Sequence, residues 1–191
     1  MRHSPFTAVY DANVLYPAPL RDFLMHLALT GIYRARWTAQ IHHEWKRNLL
    51  LNRPDLSQEQ LDRTSSTMDK AVPDALVTGH ECLCPSLDLP DPDDRHVLAA
   101  AIKCNASVIV TFNLKDFPSH ALSGFDIEAV HPDDFIADLF DLDPAAVLQA
   151  AHAQRASLKN PSHTAREFLS RLSRQGLTQS VKLLAEYERL I

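Results

Sequence analysis

Short apolar, β-prone runs alternate with helical segments through about the first 130 residues, and this alternation limits the folds open to the chain. The β-prone runs are Phe6–Tyr10, Tyr33–Trp37, Val108–Val110 and Ile127–Val130. Helical spacing of apolar residues marks the segments 20–29, 39–52, 57–72 and 93–105, and two further short extended candidates lie at 75–77 and 81–84. Parallel strands connected through helices favour an α/β fold with a mostly parallel central sheet.

The C-terminal part has a different pattern, because only helical candidates occur from Pro132 onward. They are residues 134–140, 144–155, 165–174 and 178–190. Thr164 and Glu167 form a capping-box pattern before the third of them, as Ser57 and Gln60 do for the helical segment 57–72. We therefore predict two parts, a domain over residues 1–140 and a helical C-terminal extension over residues 141–191.

Composition and charge exclude several classes of protein. Hydrophobic residues make up 46% of the 191 residues, and no apolar run approaches the roughly 18 residues that span a bilayer. Met1–Pro5 leads into the first β-prone run without an apolar signal segment, so we expect a cytoplasmic protein. The sparse Cys82, Cys84 and Cys104 are expected to be free thiols. A net charge of −5 argues against a generally basic nucleic-acid-binding surface.

Asp94 occupies a position where a helix that faces a core would carry an apolar residue. Val97, Leu98 and Ala101 form an apolar stripe at helical spacing, and Asp94 falls near the middle of that stripe. Burying an unpaired carboxylate costs several kcal/mol. Asp94 therefore requires a partner, which could be an arginine, a helix N-terminus or a metal ion.

Three aspartates fall near the ends of successive strands. Asp11 follows the first strand, Asp94 begins the helix that leads to Val108–Val110, and Asp116 lies shortly after that strand. In open α/β sheets, reactive groups collect beyond the carboxyl ends of the strands. Parallel strand order would therefore bring Asp11, Asp94 and Asp116 to one edge of the sheet.

Glu44 is a fourth candidate acid. Ile41, Trp45 and Leu49 form the apolar stripe of its helix, and Glu44 lies at the border of that stripe, from which a side chain can reach a cleft. Four converging carboxylates would repel one another. Mg²⁺ or Mn²⁺, which bind oxygen ligands, would remove that repulsion and present positive charge to a phosphate.

Ordinary structural roles are also open for the acids. Asp91 and Asp93 flank a proline in the manner of a helix N-cap and a first-turn acid. Asp11 and Asp116 could be turn residues, and Glu44 a surface glutamate.

The histidines near these acids do not indicate a zinc site. His42 and His43 precede Glu44 without forming the His-Glu-x-x-His motif of zinc hydrolases. His96 lies off the apolar stripe of its helix, so we expect a solvated side chain that could touch a nucleic-acid backbone.

Together, the segments that carry the acids resemble the PIN-domain family of metal-dependent nucleases over about residues 6–140. The matching segments are Val9–Leu15, the helical Glu44, Asp91–Ala101 and Val108–Phe117, in the order of the family. The likeness extends to the VapC-type toxins of bacterial toxin–antitoxin pairs. It implies a PIN-like three-layer α/β/α fold with C-terminal helices, a Mg²⁺ or Mn²⁺ cofactor, and endonucleolytic hydrolysis of RNA by water.

The same resemblance implies roles for individual residues and for partners. The positions that match the catalytic, metal-binding acids are Asp11, Glu44, Asp94 and Asp116. Supporting positions match Asn13, Asp91, Thr111 and Asn113. Because Asn113 stands where many relatives carry another acid, one or two metal ions stay open. The implied partners are an RNA substrate, a small antitoxin protein and a second copy of the chain in a homodimer.

Two other functions compete with the nuclease. A phosphoacceptor domain would need an acidic pair at the first strand and a lysine after a late strand, but His131 and Pro132 follow Val130. A PIN scaffold that binds RNA or protein without cutting is the other alternative. Since all four acids are present, we predict a divalent-metal-dependent endoribonuclease.

Overall fold

The structure is a computed structural model, and it describes residues 5–191. The first four residues, part of the N-terminus for which we expect no signal segment, lie outside the described residues. Its sheet contains four strands, β1 (Thr7–Tyr10), β2 (Arg34–Arg36), β3 (Val108–Val110) and β4 (Glu128–Val130). Their order is β2-β1-β3-β4, and all three pairings are parallel. The predicted α/β fold with a parallel central sheet is confirmed.

Helices connect these strands and follow the last of them. They are α1 (Ala12–Leu15), α2 (Ala18–Ala28), α3 (Ala39–Asn52), α4 (Gln58–Ala71), α5 (Arg95–Lys103), α6 (Ser119–Leu122), α7 (Pro132–Leu142), α8 (Pro144–Ser157), α9 (Ala165–Ser173) and α10 (Thr178–Ala185). The predicted capping boxes are both present, Ser57 with Gln60 before α4 and Thr164 with Glu167 before α9. Local capping patterns therefore predicted where these helices begin.

Two short segments differ from the prediction. Glu81–Ser86 forms a 3₁₀ helix, so the extended conformation expected for residues 81–84 is wrong. Pro85 has no N–H to donate to a sheet, which disfavours a strand here. Asp94 ends a 3₁₀ turn over Pro92–Asp94, and α5 begins only at the next residue.

The described chain divides into two compact units that alternate along the sequence. The first runs to Tyr16 and resumes over Tyr33–His131, and the second consists of Pro17–Ile32 and Pro132–Ile191. The structure groups α7 with α8 and α10, against which it packs. The boundary proposed from the sequence lies after residue 140, whereas the second unit begins its C-terminal part at residue 132.

The first unit has its core around the two central strands. All residues of β1 and β3 are buried, and α5 packs against both strands. Tyr10 stacks on Trp37 with ring centroids 6.1 Å apart, and its hydroxyl is hydrogen-bonded to that of Tyr33. This packed core holds the ends of β1 and β3 beside each other.

The second unit is helical. Helix α2 packs against α8, and Phe23 meets Phe168 of α9 edge to face with centroids 6.4 Å apart. The buried Asp133 accepts hydrogen bonds from the N–H groups of Gln179 and Ser180, each 2.8 Å long, at the start of α10. None of the helices between residues 5 and 191 has the length and apolar character needed to cross a membrane. The three cysteines are free, as predicted.

Candidate metal centre and active site

Asp11 and Thr111 each follow a central strand, and the sheet register places them side by side. Tyr10 of β1 pairs with Val110 of β3, and the N–H of Asp11 donates to the Val110 carbonyl at 3.1 Å. Asp11 is buried and also caps α1, because its Oδ1 accepts from the N–H of Ala12 at 2.6 Å. The parallel sheet therefore creates the strand-end cluster that the sequence predicted.

Asn13 and Thr111 hold the Asp11 carboxylate in one orientation. The Thr111 hydroxyl donates to Oδ2 at 2.7 Å, and Asn13 Nδ2 donates to the same oxygen at 2.6 Å. Asn13 Nδ2 also donates to Thr111 Oγ1 at 2.9 Å, and the N–H of Phe112 donates to Asn13 Oδ1 at 3.1 Å. A carboxylate has about four lone-pair positions, and three donors already use Asp11. The unused position lies on Oδ1 and allows one further bond, such as one to a cation.

Asp94 comes together with Asp91 and Asp116. One carboxylate oxygen from each of the three lies within 4.8 Å of the others. Asp91 also accepts from the N–H of Asp93 at 2.9 Å as the cap of the 3₁₀ turn, and Asn113 Nδ2 donates to Asp116 Oδ2. Three carboxylate oxygens are the hard ligands that Mg²⁺ and Mn²⁺ prefer, so these residues fit such an ion chemically.

The electrostatic cost of this arrangement falls mainly on Asp94. Burial and the neighbouring Asp11, Asp91 and Asp116 carboxylates raise the pKa of Asp94 to about 7, and only His96 acts in the opposite direction. Burial also raises the pKa of Asp11, although the bonds from Thr111 and Ala12 favour its charged form. A bound cation would reduce the repulsion between the carboxylates of this cluster.

Glu44 reaches the same region from α3, where His96 of α5 lies beside it. His96 Nε2 lies 2.9 Å from Glu44 Oε1, in a contact that is not aligned as a hydrogen bond. His96 is 4% exposed, so the expectation that it is solvated is wrong. The prediction failed because His96–Ala101 are buried in one continuous run, which leaves α5 with no wet side there.

Several of these groups line one cavity. Its volume is about 610 Å³, and among its lining residues are Asp11, Glu44, Asp94 and Asn113. Further polar residues of the lining are Asn13, Tyr16, Gln40, Asn48, Asn52 and Asp93. Arg47, one helical turn after Glu44, is the one arginine or lysine in this lining within the described chain. A ligand with a phosphate group that enters this cavity would therefore meet both the acids and the guanidinium group of Arg47.

The order of these motifs matches a known family. The family model described as "PIN domain" matches residues 7–115, which is more than half of the chain. The chain belongs to the PIN-domain family. With the parallel sheet, this match confirms the PIN-like α/β/α fold expected from the sequence.

A second family model extends the likeness beyond the PIN domain, and one curated relative is also similar to the chain. The model described as "VapC50 C-terminal domain" matches residues 132–186. The relative is "Putative ribonuclease VapC50" of Mycobacterium tuberculosis, 37% identical over 123 residues, which cover 62% of this chain and 72% of the relative. No solved structure matches the chain significantly.

Within this PIN domain, the residues predicted to form the site fall into two groups that share Asp94. Asp94 lies with Asp91 and Asp116 in the carboxylate cluster, and it lines the cavity with Asp11 and Glu44. Of the predicted supporting residues, Asn13 and Thr111 contact Asp11, and Asn113 contacts Asp116. The sequence showed no periodic signal for the contact between His96 and Glu44.

Proposed function

We propose that this PIN-domain protein is a divalent-metal-dependent endoribonuclease and the toxin of a toxin–antitoxin pair. The observation that carries the proposal is the cluster of Asp91, Asp94 and Asp116, whose ligand oxygens lie within 4.8 Å of one another beside the cavity that Asp11 and Glu44 line. The likeness to a relative named as a ribonuclease supports RNA as the substrate.

Asp94 and Asp116, together with Asp91, would hold a Mg²⁺ or Mn²⁺ ion. Asp11 would contribute its remaining Oδ1 position, and Glu44 would act from the other side of the cavity. When bound, the ion would stabilise negative charge on the phosphodiester and favour its attack by water. Hydrolysis by water would leave a 5′-phosphate and a 3′-hydroxyl.

The polypeptide itself would orient the substrate and fix the acids. Arg47 would bind a phosphate group of the RNA, since a guanidinium group can donate two hydrogen bonds to phosphate oxygens. The amides of Asn48 and Asn52 lie in the same lining and would hydrogen-bond the sugar or base. Thr111 and Asn13 would keep the Asp11 carboxylate fixed, so that little reorganisation accompanies the reaction.

The proposed partners follow from the family. A small antitoxin would bind the protein and suppress its activity in the cytoplasm, where the RNA substrate is found. A homodimer is the expected assembly, and sedimentation of the purified protein would test it.

Metal-dependent melting separates this nuclease from an inactive PIN scaffold. Millimolar Mn²⁺ should raise the melting temperature of the wild type, because binding to the folded state stabilises it by mass action. The rise should shrink in Asp94→Asn and Asp91→Asn. It should shrink less in Asp11→Asn, because the Asp11 carboxylate offers a metal ion one position only. Asp74→Asn, an exposed aspartate, is the matched control.

Cleavage of a labelled RNA completes the test. Activity should require Mg²⁺ or Mn²⁺, disappear with chelator, and fail with Ca²⁺, whose looser coordination positions the reacting groups poorly. Asp94→Asn should abolish it. RNA binding with no metal-dependent cleavage would instead favour the inactive scaffold.

A further inference from the structure

Helix α9 has one buried face and one basic face. Phe168, Leu169 and Leu172 are buried, whereas Arg166 and Arg174 are exposed and lie eight residues apart on the opposite face. Arg171, between them, is half-buried. Eight residues of helix cover about 12 Å. The Cα atoms of Arg166 and Arg174 are therefore separated by about 12 Å along the helix axis.

These arginines line a groove that belongs entirely to the second unit. Its volume is about 690 Å³, and its lining residues are Pro19, His163, Arg166, Glu167, Ser170, Arg171, Arg174 and Gln175. Among the lining residues, three arginines stand against one acid, Glu167. These guanidinium groups suit an anionic ligand.

The neighbours of the arginines leave donors for such a ligand. Arg171 Nη1 lies 2.7 Å from His163 Nε2, a contact that holds this side chain in place. Arg166 uses Nε for Glu188, 3.1 Å away, and Arg174 uses Nε for the carbonyl of Ser170 at 3.3 Å. A guanidinium group has five N–H donors, so single contacts through Nε leave most of them available.

The acids near the groove are each engaged with other groups. The Glu167 carboxylate accepts the N–H of Thr164 at 2.8 Å and its hydroxyl at 3.0 Å. These bonds lower the pKa of Glu167 and hold it at the helix cap. Burial raises the pKa of Asp22, which also lies within electrostatic reach of Arg171. Glu188 pairs with Arg166 at 3.1 Å, so three arginines against Glu167 and Glu188 leave a net charge of +1 at the groove.

The charge of the C-terminal segment differs in sign from that of the whole chain. Residues 144–191 contain seven lysines and arginines and three acids, a net charge of +4, whereas the complete chain carries −5. The other residues therefore carry −9. A polyanion would be repelled by most of the protein and attracted by this segment, because phosphate affinity depends on local positive charge.

We propose that the α9 arginine groove binds the phosphate backbone of single-stranded RNA. A separation of about 12 Å between the two arginines is long enough for more than one phosphate of a nucleic-acid strand. Guanidinium groups match phosphate oxygens in a planar, bidentate geometry. The choice of RNA over another polyanion rests on the proposed function, whereas the anion site itself rests on the groove.

The affinity for RNA, measured in the presence of a chelator, tests the groove under conditions without metal-dependent cleavage. Full-length protein would be titrated into a labelled single-stranded RNA, followed by fluorescence anisotropy, between about 50 and about 200 mM salt. Arg166→Gln/Arg174→Gln should weaken binding on the order of tenfold and reduce the salt slope by about 1.4, since each single-strand phosphate contact contributes about 0.7. Arg63→Gln, an exposed arginine of α4, is the matched control.

Further variants keep the test decisive. Arg166→Lys/Arg174→Lys should retain most of the salt slope because it keeps the charge. If the double glutamine variant does not fold, as judged by circular dichroism, Arg174→Gln alone should reduce the slope by about 0.7. An unchanged slope, or an equal loss in Arg63→Gln, overturns the proposal. If the double glutamine variant loses more affinity for polyglutamate than for RNA, the ligand is an acidic peptide, and that result also overturns the proposal.

The groove and the nuclease can fail separately. If the double variant binds RNA like the wild type while metal-dependent cleavage is observed, the groove proposal is wrong and the nuclease stands. If RNA binding depends on the groove but no metal supports cleavage, the groove stands and the proposed function fails.

Discussion

The hydroxyl of Thr111 donates a hydrogen bond to Oδ2 of Asp11 across 2.7 Å, and this bond joins the ends of two neighbouring parallel strands. Thr111 is completely buried, and its oxygen also accepts from Asn13 Nδ2 and from the N–H of Asn113, both at 2.9 Å. One hydroxyl thus connects an acid with both amide-bearing residues of the predicted site.

Replacing Thr111 by valine should therefore lower both stability and cleavage. Val fills a similar volume but leaves the Asp11 carboxylate and the donors of Asn13 and Asn113 without this partner. We expect a loss of about 1–3 kcal/mol in the free energy of unfolding, measured with urea at neutral pH. Thr67→Val, an exposed residue of α4, is the control. Equal urea midpoints for the two variants would contradict a structural role for Thr111.

The raised pKa of Asp94 predicts a pH-dependent stability in the metal-free protein. Because the folded state holds this proton up to a pH of about 7, whereas the unfolded state releases it near its ordinary value of 3.8, the stabilising contribution is complete below about pH 4. It is lost as the pH rises through 7. Asp94→Asn removes this loss and should be more stable than the wild type at pH 8 by about 1 kcal/mol, a value reduced for partial solvent exposure.

Urea unfolding in chelator at several pH values between 5 and about 8 measures the Asp94 effect. The gain from Asp94→Asn should shrink toward the acidic end of the range, and Asp74→Asn should show no such trend. A variant that is less stable than the wild type at pH 8 would argue that Asp94 makes a favourable contact in its charged form.

We expect His96 to support cleavage through its contact with Glu44. Its Nε2 lies 2.9 Å from Glu44 Oε1, and it also lowers the pKa of Asp11 electrostatically. In His96→Leu, the Glu44 and Asp11 carboxylates lose this neighbour, and we expect cleavage to fall roughly tenfold through kcat. His96→Gln should recover part of the rate. His43→Asn, exposed on the same helix as Glu44, is the control, and a similar fall in that variant would contradict a specific role for His96.

The stability of the second unit should depend on the buried side chain of Phe168. This side chain is 1% exposed and meets Phe23 edge to face. Phe168→Ala should destabilise the protein by about 3–5 kcal/mol and reduce its solubility, as large-to-small changes in a core do. Leu142→Ala, with the native side chain 62% exposed, is the comparison. Thermal melts that are indistinguishable between the two variants would mean that α9 packs loosely.

Much of the fold followed from interactions between residues close in sequence. The helix α3 begins and ends at the predicted residues, and Ser57 and Thr164 form their capping boxes. Helical periodicity and capping involve residues within about four positions of each other, so they can be read without knowledge of the fold. The resemblance also indicated the residues around Asp11, whose supporting contacts with Asn13 and Thr111 the structure contains.

By itself, then, the sequence determined the alternation of strands and helices, the helix starts and the order of acids that marks a PIN domain. Only the tertiary structure decided that His96 is buried beside Glu44, that Asp91 lies with Asp94 and Asp116, and that Pro17–Ile32 packs with the C-terminal helices. Such contacts depend on how complete helices and strands pack, and a helical periodicity identifies an apolar face without identifying what covers the others.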